Sequence, residues 1–257
     1  MAVDELYTKE WLEFYDKMFP ESNYMSTFIM INKIILNNNS KAKNILELAC
    51  GTGRYTRYFV DKGYQVVATD ISPDALKVAE KRAKGAKFQV LDMADLSQKE
   101  TYDAVICMFE AFRYNQSYKT CVRVLKNLQK ALRPGGLFFC DFYINQPSKK
   151  TEKPNIHNEV AVSGRRIIVR DEFIYSDGDY DVREDKMKIL KKRFFGKPKL
   201  VKETSISRSR LLRIDEDQMI RMMSSVGIDT YEIVKGFQRN PDGSLNHDTY
   251  LFVGVKK

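Results

Sequence analysis

Short apolar runs alternate along the first half of the chain with stretches whose apolar positions recur every three or four residues. The runs Asn44 to Leu48, Gln65 to Thr69, Lys87 to Leu91, Tyr102 to Met108 and Leu137 to Phe142 predict five strands. Arg54 to Asp61, Pro73 to Ala83 and Ser117 to Leu132 predict the helices between them. Strands and helices in this alternation pair in parallel through right-handed crossovers, so a doubly wound α/β sheet is expected. The punctuation agrees. Ser72-Pro73 supplies an N-cap and a first-turn proline, and Arg133-Pro134-Gly135-Gly136 ends one helix and turns toward the next strand. Two more helices, Lys9 to Phe19 and Tyr24 to Asn37, are predicted ahead of the first strand.

Beyond about residue 144 the pattern changes. Val160 to Val169, Asp171 to Tyr175, Lys188 to Phe195 and Leu200 to Leu212 read as strands, with turn signals at Ser163-Gly164, Ser176 to Asp179 and Gly196-Lys197-Pro198. Asp215 to Val226 is a predicted helix, and Thr230 to Lys235 and Tyr250 to Val255 are two further strands. The expected organisation is an α/β domain of residues 1–143 and 214–257, interrupted by an antiparallel β insert of residues 144–213 that serves as a lid or a dimer contact.

Charge sharpens this division. The chain carries 43 Lys+Arg against 34 Asp+Glu, and residues 144–213 hold 18 and 10 of these, so nearly all of the basic excess lies in the insert. An anionic small molecule or a nucleic acid fits such a surface. The basic residues are interleaved with acids and no aromatic RNA-reading motif is present, which favours the small molecule. With 43% hydrophobic residues and a mean hydropathy of −0.44, a folded core is expected and disorder is excluded. The longest apolar runs fall far short of the roughly 20 residues that span a bilayer, so a cytoplasmic protein without membrane contact is expected. Four cysteines without CxxC pairing and only two histidines suggest neither a disulfide framework nor a zinc site.

The chemistry concentrates in Glu47-Leu48-Ala49-Cys50-Gly51-Thr52-Gly53-Arg54, where a strand runs into a glycine turn and then a helix. Glycines there let backbone approach a ligand, and the helix start presents unpaired amides. A dinucleotide fingerprint needs a third small residue where Thr56 stands, so that reading is disfavoured. The second strand ends in Asp70, 17 residues after Gly53, where a carboxylate accepts from both ribose hydroxyls of an adenosine. The third ends Asp92-Met93, and Asp92 is placed to accept from an adenine amino group.

These ordered motifs resemble the class I S-adenosylmethionine-dependent methyltransferases, which have a Rossmann-like sheet. Phe14-Tyr15-Asp16, Asp92-Met93, Met108-Phe109, the insert after the fifth strand and the closing Leu251-Phe252-Val253-Gly254-Val255 are similar to the branch of aminosugar N,N-dimethyltransferases and glycine N-methyltransferases. The resemblance implies S-adenosyl-L-methionine as cofactor. It implies that Glu47, Ala49, Gly51, Thr52 and Gly53 shape the methionine side, that Asp70 and Ile71 hold the ribose and Asp92 and Met93 the adenine, and that Met108 and Phe109 lie under the sulfonium. Tyr15 is expected to close over the methyl group, serving both cofactor and catalysis, and Glu110 to take a proton from the acceptor or orient its ammonium. The expected reaction is methylation of a small molecule, at an amine, on a compact anionic or nucleotide-linked substrate. The alternatives are a nucleic-acid methyltransferase that uses the basic insert, or a regulatory protein that binds the cofactor without turnover. A homodimer is expected from exposed strand edges in the insert.

Overall fold

The computed structural model describes residues 12, 21–144, 156–162, 166–191, 198–238, 246 and 248–257. In chain order the elements are α1 (Glu21–Asn38), β1 (Asn44–Leu48), α2 (Arg54–Asp61), β2 (Gln65–Asp70), α3 (Pro73–Arg82), β3 (Lys87–Val90), β4 (Tyr102–Cys107), α4 (Tyr118–Ala131) and β5 (Leu132–Tyr143). There follow β6 (Ile156–Val162), β7 (Arg166–Asp177), β8 (Tyr180–Lys191), β9 (Lys199–Leu212), α5 (Glu216–Ser225), β10 (Ile228–Lys235) and β11 (Thr249–Lys256). Two compact units result, one of residues 21–145 and 212–257, the other built on residues 146–211.

The first unit is a seven-stranded sheet in the order β3-β2-β1-β4-β5-β11-β10. Strands β1 to β5 run parallel, and β11 lies antiparallel between β5 and β10. Ile45, Leu46, Ala104, Val105, Ile106, Phe138, Phe139 and Cys140 are all buried, which is why these strands read as unbroken apolar runs rather than alternating ones. The chain leaves β1 toward β2 and β3, then returns to β4 on the other side. That reversal opens a crevice at the carboxyl ends of β1 and β4, where doubly wound sheets bind ligands. Local signals set the helix starts: Ser72 accepts from the Ala75 amide at 3.2 Å, Ser117 from Thr120 at 3.1 Å, and Asp215 and Gln218 form a reciprocal capping box.

The structure revises several boundaries. The helix expected over 24–37 begins at Glu21, and the one expected over 9–19 lies outside the described residues. β5 starts at Leu132, which pairs with Tyr102, so the Pro-Gly-Gly segment belongs to an irregular strand start rather than a turn.

In the second unit four strands form an antiparallel sheet in the order β6-β7-β8-β9. The strand expected over 160–169 is two strands that pair with each other, Val160 opposite Ile168. β7 and β8 form a long hairpin closed at Asp177 and Tyr180 by a two-residue turn in which Gly178 has φ +60°. Among the described residues, three basic side chains of this sheet have acidic partners. Arg208 meets Glu184 at 3.4 Å and the Tyr175 hydroxyl at 3.1 Å, Arg210 lies 4.1 Å over the Tyr180 ring and 3.7 Å from Asp177, and Lys188 meets Asp171 at 3.5 Å.

Candidate cofactor and active site

The loop after β1 is built from left-handed residues: Ala49, Gly51 and Gly53 have φ of +51°, +53° and +75°. The two glycines serve different ends. A Cβ on Gly53 would lie 2.8 Å from the Ala79 Cβ, so this residue is glycine because the loop presses against α3. A Cβ on Gly51 would meet no atom within 4 Å. That face of the loop is open, beside the first-turn amides of α2 that have no partner within the helix. Arg82, in the last turn of α3, fixes the loop from behind by donating to the Thr52 carbonyl at 2.9 Å and its hydroxyl at 2.8 Å.

Two buried acids back this loop. Asp70 accepts from the Gly51 amide at 2.8 Å and the Ser72 amide at 2.9 Å, so the residue expected at the ribose also ties the glycine loop to the end of β2. Burial raises its carboxyl above the ordinary aspartate value against the pull of those amides. Glu47 is 4% exposed and accepts from the Thr56 hydroxyl at 2.5 Å. Burial drives its carboxyl up to about 8, with the Thr56 hydrogen bond opposing and the charge of Asp70 adding to the rise. Alongside lies uncovered apolar surface: Ile71 is 43% and Val90 54% exposed at the carboxyl ends of β2 and β3, which are joined there by the Leu91 amide donating to the Asp70 carbonyl at 3.0 Å. Asp92 caps the short 3-10 turn Met93–Asp95 through the Ala94 amide at 2.8 Å. The Met93 sulfur accepts from the Asn115 side-chain Nδ2 at 3.3 Å.

Past β4, Met108 is buried, and Phe109 and Glu110 are successive left-handed residues with φ of +61° and +57°. The Phe109 ring lies 4.8 Å from that of Tyr24 and 6.0 Å from that of Tyr55. Glu110 is engaged in a way its position in sequence did not suggest. It is 2% exposed, receives the Arg113 guanidinium at 2.5 Å and accepts from the Tyr143 amide at 3.2 Å. Arg113 is equally buried and donates through Nε to the Leu212 carbonyl at 2.9 Å. Sequence reasoning missed this cation, although its spacing of three from Glu110 suits an ion pair, and also missed Asp141, a buried acid inside β5. Tyr15 lies outside the described residues. The other residues expected at the cofactor cluster at one sheet edge, at the ends of β1, β2, β3 and β4. Among the described residues no group of three His, Cys, Asp or Glu side chains is arranged to hold a metal.

Residues 45–136 match the family model described as a methyltransferase domain. The chain has the S-adenosylmethionine-dependent methyltransferase fold. The chain is similar in structure to S-adenosylmethionine-bound CalS10, an amino pentose methyltransferase of Micromonospora echinaspora, with a TM-score of 0.78 and 18% identity over 98% of both chains. DesVI of Streptomyces venezuelae gives 0.75 at 20% identity, covering 98% of this chain and 100% of that one. In sequence, the methyltransferase domain is 26% identical over 133 residues to a dTDP-3-amino-3,6-dideoxy-alpha-D-glucopyranose N,N-dimethyltransferase of Streptomyces fradiae, covering 51% of this chain and 52% of the relative. It is 32% identical over 114 residues to mouse glycine N-methyltransferase, covering 38% and 39%. The chain thus spans about half the length, or less, of these curated relatives. No described helix is long and apolar enough to cross a membrane.

Proposed function

We propose that this chain is an S-adenosylmethionine-dependent methyltransferase that methylates the amine of a small molecule, with nucleotide-linked aminosugars as the substrate class. The observation that carries the reading is the loop after β1, left-handed at three positions, open at Gly51, and backed by the buried carboxylates of Glu47 and Asp70. The residues present fit the cofactor: an open glycine face for its methionine half, acids at the ends of β1 and β2 for its ammonium and ribose, and the exposed Ile71 and Val90 for an apolar base. When bound, it supplies a methyl group already activated on a sulfonium. The chain then has to align the acceptor and exclude water, an effect worth about 7–11 kcal/mol in favourable cases. Phe109, Tyr24 and Tyr55 offer the aromatic faces that stabilise positive charge. We assign Glu110 to holding the turn after β4 instead of taking the acceptor's proton, because it is buried and ion-paired with Arg113, which with the Tyr143 amide binds its Oε1.

The named activities of the relatives support an amine acceptor, and the matched charges of β7 to β9 favour a small substrate over nucleic acid. The edge position of β9, with Leu200 and Val201 48% and 59% exposed, supports a homodimer, which light scattering tests. The substrate class is tested by incubating the protein with S-adenosylmethionine and a panel of dTDP-linked aminosugars, glycine and a short RNA. Methylated aminosugar seen by mass spectrometry is the expected result. Methylation confined to RNA overturns the reading.

A further inference from the structure

The strand around Asp141 is apolar, with Phe138, Phe139, Cys140 and Phe142 all buried, and Asp141 itself is 2% exposed. A carboxylate in such a place is costly unless it is bound. It is bound by the turn after β4. Oδ1 accepts from the Glu110 amide at 3.2 Å, and the Phe109 amide is a further donor to the same carboxylate. Oδ2 lies 3.4 Å from Gln238 Nε2, and Gln238 is itself oriented by the Tyr143 hydroxyl, which donates to its Oε1 at 3.0 Å. The two backbone donors belong to the successive non-glycine residues with positive φ. Such a residue is strained and persists only where its surroundings determine it. Two successive amides converging on one anion form such a determinant.

We propose that Asp141 is a positioning residue for methyl transfer: its carboxylate binds the paired amides of Phe109 and Glu110, fixes the left-handed turn, and so sets the Phe109 ring against Tyr24 and Tyr55 at the cofactor edge. The proposal rests on the methyltransferase reading above. The groups facing Asp141 are the Phe109 and Glu110 amides and the Glu110 carboxyl from the turn, Gln238 from the segment after β10, and the thiols of Cys107 and Cys140. Burial drives its carboxyl up to about 7, with the Glu110 amide opposing and the Glu110 charge adding. The hold on the turn is therefore complete above neutral pH and weakens below it.

The test is an amide NMR titration of the full chain from pH 5.5 to 8.5, with calorimetric binding of S-adenosylhomocysteine on the same samples. In wild type the Phe109 and Glu110 amides should titrate together with a midpoint near 7. In Asp141→Asn they should stay at their acid-limit positions at every pH, and S-adenosylhomocysteine affinity at pH 8 should fall about tenfold while the melting temperature stays within a few degrees. Gln238→Ala, which removes a donor without touching the strand, should move the shared midpoint upward, and it serves if Asp141→Asn does not fold. Phe109 and Glu110 amides that keep their wild-type positions at pH 8 in Asp141→Asn, or an Asp141→Asn protein that binds as wild type does, overturn the proposal. Wild type that shows the titration but binds no S-adenosylhomocysteine overturns the methyltransferase reading instead.

Discussion

Replacing Glu47 by Gln separates what this carboxyl costs the fold from what it does for the ligand. Its carboxyl rises from 4.5 to about 8 in the folded protein. At about 1.4 kcal/mol per unit, ionising it there is about 5 kcal/mol more costly than in the unfolded chain. Because the folded value is the higher one, the benefit of a neutral Glu47 is fully present below 4.5 and is lost as pH rises through about 8. Wild-type stability should therefore fall across that window, with roughly 1 kcal/mol of the loss between pH 7 and 9, or about 2–4 °C in melting temperature for a chain of this size. Gln cannot ionise, yet its carbonyl still accepts from Thr56, so Glu47→Gln should lack this part of the pH dependence and melt higher than wild type at pH 9. The gain has a counterpart in binding, since losing a charged hydrogen bond to the cofactor's ammonium costs about 1.5–3 kcal/mol. Thermal unfolding of both proteins at pH 5.5, 7 and 9, with calorimetry at pH 8, decides the matter. Melting curves that shift with pH in parallel for the two proteins would refute the burial argument.

Three other substitutions probe the rest of the site. Gly51→Ala should cost only about 1 kcal/mol for its positive φ and leave the fold intact while weakening cofactor binding, because its Cβ enters open space. Gly53→Ala drives a Cβ to 2.8 Å from that of Ala79 and should lower stability by about 1–3 kcal/mol, measured by urea unfolding. Arg113→Met leaves Glu110 buried without its cation and should destabilise by about 3–5 kcal/mol, while adding Glu110→Gln should recover much of the loss. An additive double mutant would show that the pair is not coupled.

The strands of the cofactor half were legible because β1, β2 and β4 are largely buried and so read as short apolar runs, and glycine or proline stands near the ends of β1 and β2. The glycine loop was legible for the same reason: only glycine tolerates both the positive φ and the approach to Ala79. What escaped depended on partners distant in sequence. The first part of β8 escaped because Asp181, Arg183, Glu184, Asp185 and Lys186 show no strand pattern of apolar positions until β7 pairs with them. Glu110 was legible as an acid after β4 but not as half of an ion pair, since Arg113 is held in place by the Leu212 carbonyl 99 residues away. Asp141 sits where the pattern demands an apolar residue, and only the amides of a neighbouring turn explain it. In each case a long-range hydrogen bond, absent from any local window, decides the role.

Calorimetric titration with S-adenosylmethionine and S-adenosylhomocysteine decides whether the loop after β1 is a cofactor site. Wild type should bind both with micromolar affinity, and Asp70→Ala, which frees the Gly51 and Ser72 amides from their shared carboxylate, should bind neither while remaining folded. Folded wild-type protein that binds neither ligand would contradict the account.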